Sequence, residues 1–485
     1  MRKIYAICLL LSGMVMASCS DWLDLKPYGE VEADKMFENE EGFIQALNGS
    51  YLLLTDPAAY GSELTVGFPD EIVHYWLKRS EFYGFDYKNA EVVSRLDATW
   101  LKMYEAIANT NLVLQNLEGK SPDDLEYYNL IRGEALGLRA YLHLDLLRLY
   151  GPVLKDGGME EASIPFHDEF SNRTVRLMKS SEVLGRIGQD LREAYTLLAD
   201  DPVKVYGRRD ESMITPSVQG LGMAFRGCRM NYYAVCATLA RYYMLMEQPG
   251  EALKYAEEVI EAGQFGLVQR SDVAGADDMK NRMFERELVW ALFDAQTGDH
   301  LNTLTQREYA LDPDYKDYVY TESNAQGTAE DYRYQYWFRH VTTYSPAFHA
   351  LCKYQRNLKN EDGATKDETA WETVLPLIRL SEMYYIAAEA NLTENPAEAY
   401  RLLNEVRISR NLSALLPALE NDADGLRDQL TYEYRKDFWG EGKLFYYYKR
   451  HFMNIRTRDE NITATREMYK LPLPQDEIEF GDNNQ

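Results

Sequence analysis

The chain has few cysteines and histidines for its length, and their scarcity excludes several kinds of site. Among 485 residues there are five cysteines and seven histidines. Cys228 and Cys236 fall on what we predict to be one helix, which would place their Cα atoms about 12 Å apart, too far for a disulfide. Together with Cys352 they form an odd set without metal-ligand spacing. We therefore expect three buried cysteines, no disulfide framework and no metal site.

Recognisable catalytic motifs are also missing. The sequence contains no HExxH, GxSxG or P-loop pattern, and Gly220 and Gly222 precede Phe225 where a third glycine would complete a dinucleotide fingerprint. A helical-barrel glycoside hydrolase would need two carboxylates across a cleft, but 78 acidic residues make such pairs inevitable in any fold. We predict no catalytic residue, no cofactor and no enzymatic activity.

Positive charge is scarce as well. Lysine and arginine total 52 against 78 aspartates and glutamates, so the formal net charge is −26. A surface this acidic repels phosphate groups, because nucleic-acid binding depends on neutralising them with basic side chains. Nucleic acid is therefore excluded as a partner.

Long apolar runs are absent except at the start of the chain. Arg2 and Lys3 precede an apolar stretch at residues 4–16, which is too short to span a bilayer, and small residues then lead to Cys19. This order predicts a signal peptide at residues 1–18. Because residues 16–19 resemble a bacterial lipobox, with Met16 in place of the usual leucine, we predict lipid attachment at Cys19. The alternative is that Cys19 lies near an ordinary cleavage site.

The rest of the chain is dominated by helical periodicity. Apolar residues between positions 130 and 150 recur every 3.6 residues, and Gly151 with Pro152 ends the pattern. Two further segments, residues 231–263 and 383–410, each predict a helical hairpin, broken at Pro249 and at Pro396. Their alanines and large apolar residues fall at tetratricopeptide-like offsets, although any amphipathic hairpin could show this pattern.

A possible calcium loop begins at Glu420, where acidic residues alternate before Gly425. Its twelfth position is Thr431, whereas calcium loops of this kind require a bidentate glutamate there. A helix cap formed by Asp422 or Asp424 explains the pattern better.

Several separated phrases resemble the SusD-like (RagB/SusD) family, in the family's order and almost to the end of the chain. They comprise residues 21–27 (DWLDLKP), 100–111 (WLKMYEAIANTN), 133–151 (GEALGLRAYLHLDLLRLYG), 173–198, 378–390, 403–407 (LNEVR), 433–450 and 471–478 (LPLPQDEI). The chain departs from the family's EGxRxxDxxR phrase, because Leu444 replaces the arginine and Tyr447 the aspartate.

The resemblance implies an all-α fold in which a tetratricopeptide-like helical scaffold packs against an irregular, loop-rich half that binds the ligand. Residues 19–485 would form one SusD-like domain. It also implies a lipoprotein facing outward from the outer membrane, which binds a glycan or oligosaccharide. The partner would be a SusC-like TonB-dependent transporter, which receives the ligand. Capture of a peptide or another solute, or a tetratricopeptide-type protein-interaction module, are the alternatives.

Two irregular insertions, near residues 55–94 and 298–344, are the predicted ligand-binding segments, because they are rich in aromatic and planar polar residues. Sugars bind exposed aromatic faces flanked by such hydrogen-bonding groups. If residues 331–336 were extended, their alternation would place three tyrosines on one face. The alternative is that most of these rings are core residues. The predicted ligand-binding residues are Trp76, Tyr75, Tyr83, Arg79, Asn89, Tyr336, Trp337 and Arg339.

Overall fold

The computed structural model describes residues 35–77, 80–209, 217–274, 280–295, 300–301, 303–305, 309–322, 328–342, 347–354 and 374–481. Helices dominate these residues, and the prediction of a helical fold is confirmed. No helix among them is both long and apolar enough to cross a bilayer. The signal peptide and Cys19 lie outside the described residues.

The helices are numbered here in chain order. They are α1 (Glu40–Leu54), α2 (Phe68–Ile72), α3 (Ala90–Asn116), α4 (Tyr128–Tyr150), α5 (Ser180–Leu197), α6 (Val203–Tyr206), α7 (Val218–Ala224), α8 (Tyr232–Leu245), α9 (Pro249–Ile260), α10 (Arg270–Val273), α11 (Pro313–Thr321), α12 (Tyr332–Tyr336), α13 (Leu380–Asn391), α14 (Pro396–Ser409), α15 (Ala423–Asp437), α16 (Lys443–His451), α17 (Arg466–Tyr469) and α18 (Gln475–Phe480).

Three small antiparallel sheets accompany the helices in the described part of the chain. Strand β1 pairs with β5, β4 lies between β2 and β3, and β6 pairs with β7. The strands are β1 (Leu288–Phe293), β2 (Ala310–Leu311), β3 (Phe338–Val341), β4 (Phe348–Leu351), β5 (Val374–Arg379), β6 (Ile455–Arg456) and β7 (Asn461–Ile462).

The scaffold is a stack of antiparallel helices. Helix α4 packs between α3 and α5, α8 packs against α5 and α9, and α13 packs against α9 and α14. Glycines on α4 allow the close approach of its neighbours, since a Cβ at Gly137 would lie 2.8 Å from Met230 Cγ and one at Gly133 would lie 2.8 Å from Leu198 Cγ. The scaffold therefore depends on small residues at helix contacts.

Both predicted hairpins form. Helices α8 and α9 meet at Gln248, with Pro249 in the first turn of α9, where its missing N–H costs no hydrogen bond. Helices α13 and α14 meet in the same way at Pro396, and the Asn395 side chain accepts a hydrogen bond from the Glu398 amide. The breaks thus lie at the prolines that the sequence indicated.

Asp422, rather than a calcium loop, accounts for the acidic residues near position 420. It is the N-cap of α15, and its carboxylate accepts a hydrogen bond from the Gly425 amide at 3.0 Å. The cap explanation is therefore confirmed.

The cysteine prediction needs two corrections, one on the shared helix and one on the burial of Cys228. Cys228 lies at the end of a short 3-10 helix, whereas Cys236 lies on α8, which begins at Tyr232, so the two do not share a helix. Asn231 causes the break, because its side chain caps α8 by accepting a hydrogen bond from the Ala234 amide. None of the three cysteines forms a disulfide with another described residue; Cys236 and Cys352 are buried and Cys228 is partly buried.

A buried ion-pair network joins the scaffold to the irregular half, and we call it the junction network. At its centre the Asp437 carboxylate, on α15, is 3.0 Å from Arg333 and Arg410 and 3.1 Å from Arg379. These four side chains are fully buried. Burial alone would raise the pKa of Asp437, but the three guanidinium groups hold it well below its ordinary value. The network also includes Glu287, Asp331, Glu433 and Glu441.

Candidate functional site

The two irregular segments lie side by side. The Leu77 amide donates to the Ala310 carbonyl at 2.5 Å, and the Trp76 and Tyr309 rings have centroids 5.4 Å apart. The Tyr309 hydroxyl also donates to Glu71 at 3.3 Å. Segments that are more than 200 positions apart in sequence therefore form one region.

Trp439 is the centre of that region. Its ring stacks on Tyr75 with centroids 3.9 Å apart, and Phe338 and Tyr315 pack against it at 5.6 and 6.2 Å. The chain turns directly after it, at Gly440, which has a φ of +69°. Only glycine adopts such a backbone without strain. We define the aromatic cluster as Tyr75, Trp76, Tyr315, Phe338 and Trp439.

Tyr75 and Trp76 are buried members of this cluster and present no face to a ligand. Trp76 is 3% exposed, and its indole N–H donates to the Val66 carbonyl at 2.8 Å. The Tyr75 hydroxyl donates to the Arg435 carbonyl at 2.8 Å. Because the polar atom of each ring is satisfied by backbone, both residues pin the first segment to the scaffold.

Trp337 is also turned inward. Its ring is fully buried against Phe284, and the indole N–H donates to the Arg282 carbonyl at 2.8 Å. The Lys353 ammonium lies 4.2 Å from the ring centroid. A sugar cannot reach either face of this indole, so its role is to pack the second segment.

Residues 332–336 form α12 instead of the extended stretch expected from their alternation. The Asp331 carboxylate accepts the Arg333 amide at 2.9 Å and so caps the helix, while the buried Arg333 side chain enters the junction network. Tyr332 is buried, and Tyr336 is half-buried beside it at a centroid distance of 6.0 Å. The three tyrosines therefore do not share one exposed face.

The remaining predicted residues are spread over the surface. Tyr83 is half-buried and stacks on His74, with centroids 3.4 Å apart. Asn89 is the N-cap of α3, where its side chain accepts the Glu91 amide at 2.8 Å. Arg339 is exposed on β3. Arg79 lies outside the described residues.

A set of half-buried tyrosines borders the aromatic cluster, and we call Tyr83, Tyr318 and Tyr334 the aromatic rim. Tyr318 stacks on Tyr315 of the cluster at 6.0 Å, and Tyr83 is close enough to Tyr315 to help raise its pKa, although burial is the main cause. Tyr334 packs edge-on against the buried Tyr320 at 5.4 Å. The rings of the aromatic rim are thus partly exposed, and Tyr318 and Tyr334 each pack on a buried tyrosine.

Polar groups lie among the rim rings. The Tyr334 hydroxyl donates to Asp317 at 2.8 Å, and the Lys316 ammonium lies 3.7 Å from the Tyr334 centroid. The Tyr318 hydroxyl donates to Glu322 at 3.2 Å. Asp317 is largely exposed, so its second oxygen can accept a hydrogen bond from a bound molecule.

His349 adds a neutral hydrogen-bonding group near Lys316. Burial lowers the pKa of His349 to about 4, and the charges of Lys316 and His340 add to the effect. Burial also lowers the pKa of Lys316. At neutral pH the His349 imidazole is therefore uncharged and can both donate and accept.

Sequence reasoning missed Trp439 and Tyr318. Trp439 lies within residues 433–450, which carry part of the family resemblance. The sequence pattern that could have identified it is an aromatic pair followed by glycines at positions 440 and 442. Tyr318 lies inside the second predicted segment but on a regular helix, α11, where no irregularity drew attention to it.

Two family models match the chain. One, a SusD-like model described as "Starch-binding associating with outer membrane", matches residues 21–212, and one described as the SusD family matches residues 293–481. The curated SusD-like protein P2 of Formosa agariphila is 25% identical over 158 residues. That match covers 31% of this chain and 30% of the relative.

Solved structures share the fold over nearly the whole chain. A SusD superfamily protein from Bacteroides thetaiotaomicron has a TM-score of 0.69 at 21% identity, covering 91% of this chain and 97% of that one. A SusD-like carbohydrate binding protein from Bacteroides vulgatus has a TM-score of 0.67 at 18% identity, covering 91% and 96%. Because two models of the family match the chain, one in each half, this chain belongs to the SusD-like (RagB/SusD) family.

Proposed function

We propose that the protein is a surface lipoprotein that binds a glycan or oligosaccharide at its aromatic rim and passes it to a SusC-like TonB-dependent transporter. The observation that carries this proposal is a set of half-exposed tyrosines held by buried rings, because Tyr318 packs on Tyr315 and Tyr334 packs on Tyr320. The protein would perform no chemistry on the ligand.

The rim suits a sugar because of how its rings are held. Aromatic faces bind the C–H patches of a pyranose, and the polar groups beside them bind its hydroxyls. Tyr334 is fixed by Asp317 and Lys316, and Tyr318 by Tyr315. Rings that are already immobile lose little conformational entropy on binding, which favours affinity.

The relatives support the same ligand class. The family model matching the first half is described as starch-binding, and the Bacteroides vulgatus structure as a carbohydrate binding protein. The description of association with the outer membrane agrees with lipid attachment at Cys19.

Affinity electrophoresis tests glycan binding. The purified full chain would be run in native gels cast with plant, fungal and host polysaccharides, beside Tyr334→Ala and Tyr318→Ala. We expect one polysaccharide to retard the wild type and both rim variants to lose most of that retardation. The control is Tyr206→Ala, which removes an exposed tyrosine on α6, and it should migrate like the wild type. Equal retardation of all four proteins would exclude the rim, and no retardation by any polysaccharide would favour a peptide or another solute.

Anchoring and the transporter need a separate experiment in the native bacterium. Mass spectrometry of the membrane-bound protein should find an acylated N-terminal Cys19, and Cys19→Ala should leave the protein unacylated and release it from the membrane. A tagged wild-type protein should co-purify with a SusC-like transporter after cross-linking. An unmodified Cys19 in the membrane fraction would refute lipid anchoring.

A further inference from the structure

The scaffold contains a cavity of about 760 Å³, in the size range of small-molecule sites. Helices α4, α8, α13, α15 and α16 all contribute to its lining, and none of the three rim tyrosines does. The cavity is therefore separate from the proposed glycan surface.

The acidic groups of the cavity lining are mostly neutralised within it. Glu382 forms two hydrogen bonds of 2.6 Å with Arg241, and Glu389 forms bonds of 2.7 and 2.6 Å with Arg450. Glu247, which is exposed, is the one lining glutamate without a basic partner among the residues described. Against these three glutamates the lining carries seven lysines and arginines.

Several of the basic groups are already engaged. Lys443 donates to the Leu377 carbonyl at 2.7 Å, and Lys449 donates to the Leu149 and Gly151 carbonyls at 3.0 and 2.7 Å. Arg427 pairs with an exposed aspartate on its own helix. None of these three groups needs a ligand to satisfy it.

Arg148 and Lys155 are different. Arg148 shares Asp145 with the Tyr60 hydroxyl, and its Nε has no hydrogen-bond partner in the described part of the chain. Lys155 is exposed and has no carboxylate within 4 Å among the described side chains. Both residues line the cavity, so they place two cationic groups at its wall.

Three tyrosines share the lining with these cations. Tyr434 and Tyr447 stack with centroids 4.0 Å apart, and the Arg148 guanidinium lies 3.9 Å from the Tyr446 centroid. Tyr446 is 7% exposed, yet its hydroxyl has no hydrogen-bond partner among the residues described. The hydroxyl itself has almost no exposed surface, so the three tyrosines shape the wall of the cavity and leave its hydrogen bonding to the cations.

We propose that this cavity binds a short acidic saccharide, with its carboxylate near Arg148 and Lys155. A small inorganic anion would leave most of the 760 Å³ unfilled, whereas a disaccharide that carries a carboxylate fills more of that volume and can still bond to the cations. Binding in this cavity does not depend on glycan binding at the aromatic rim, because none of the rim tyrosines lines the cavity.

Calorimetric titration of the full chain with two uronic disaccharides, digalacturonate and cellobiouronate, tests the proposal. Galactobiose and cellobiose, which carry hydroxymethyl groups instead of carboxylates, are the neutral counterparts. We expect at least one acidic disaccharide to bind at least tenfold more tightly than its counterpart. Lys155→Glu should weaken that binding about tenfold, because it places a like charge beside the carboxylate. Lys254→Glu, at an exposed site outside the lining, is the matched control.

Equal binding of acidic and neutral sugars, no heat with either acid at millimolar concentration, or sulfate binding as tight as the disaccharide would overturn the proposal. So would unchanged affinity in Lys155→Glu.

Discussion

The helical scaffold and the irregular half are stabilised in different ways. In the scaffold, most neighbouring helices follow one another in the chain, as in α8 with α9 and α13 with α14, and glycines on α4 set the spacing of its neighbours. In the irregular half, the contacts join distant residues: the bond from Tyr75 to Arg435 spans 360 positions, and that from Gly440 to Asp70 spans 370. The scaffold can therefore be predicted from local sequence patterns, whereas the irregular half forms only when folding brings distant parts of the chain together.

The strongest test of this difference is to remove the shared carboxylate of the junction network. Asp437→Ala would remove the carboxylate that Arg333, Arg379 and Arg410 share and leave the buried network with one negative charge fewer. We expect a loss of about 5 kcal/mol in the free energy of unfolding, since breaking one buried ion pair costs about 3–5 kcal/mol. Urea unfolding followed by circular dichroism measures it. Asp428→Ala, an exposed position on the same helix, should change stability by less than about 0.5 kcal/mol.

If Asp437→Ala unfolded at the same urea concentration as the wild type, the irregular half would not depend on this network. Loss of near-ultraviolet signal from the tryptophans with retained helical signal would instead locate the damage in the irregular half. That second result would mean that the scaffold stays folded when the irregular half does not.

Trp337→Ala tests how the second irregular segment is held. The side chain is fully buried, and truncating a buried tryptophan costs about 3–5 kcal/mol. We expect a loss of this size in the free energy of unfolding, and any loss of glycan binding should disappear under conditions that keep the variant folded. A variant that is as stable as the wild type but no longer binds glycan would instead make Trp337 a ligand contact.

The sequence predicted the scaffold well because its signals are local. The 3.6-residue period and the prolines at positions 249 and 396 indicate both hairpins without any long-range information. The composition of residues 55–94 and 298–344 predicts two irregular ligand-binding segments, and the second of them contains the regular helices α11 and α12. It could not assign single rings, because whether Trp76 points inward depends on Val66 and Trp439, which only folding brings next to it.

The misreading of residues 331–336 has the same origin. Their alternation is compatible with a strand, but Arg333 pairs with Asp437 about 100 positions away, and Asp331 caps the short helix that carries it. The pairing with a distant carboxylate, and not the local alternation, thus determines the conformation of these residues. Local sequence patterns do not predict the junction network, because its partners come from several separate elements.

Overpacking the scaffold should have a smaller effect than these losses. Ala387 is fully buried on α13, and Ala387→Leu inserts a larger side chain into a close-packed core. We expect a loss of about 1–3 kcal/mol in the free energy of unfolding, measured in urea. The half-buried Ala390 on the same helix provides the control, since Ala390→Leu has room toward solvent. Equal stability of Ala387→Leu and the wild type would mean that small residues do not set the helix spacing.

His349, near Lys316 of the irregular half, should give the smallest effect, visible as a pH dependence. Its pKa is about 4 in the folded protein and about 6.5 in an unfolded chain, so between these values the unfolded state binds more protons. Stability must then fall as the pH is lowered from 7 to 5. Because the side chain is only partly buried, solvent screening reduces the effect to about 1 kcal/mol or less. In His349→Gln this contribution should be absent. The urea midpoints at pH 7 and pH 5 should then differ less than they do in the wild type. An unchanged pH dependence would mean that His349 titrates alike in both states, and that the charge of Lys316 does not reach it.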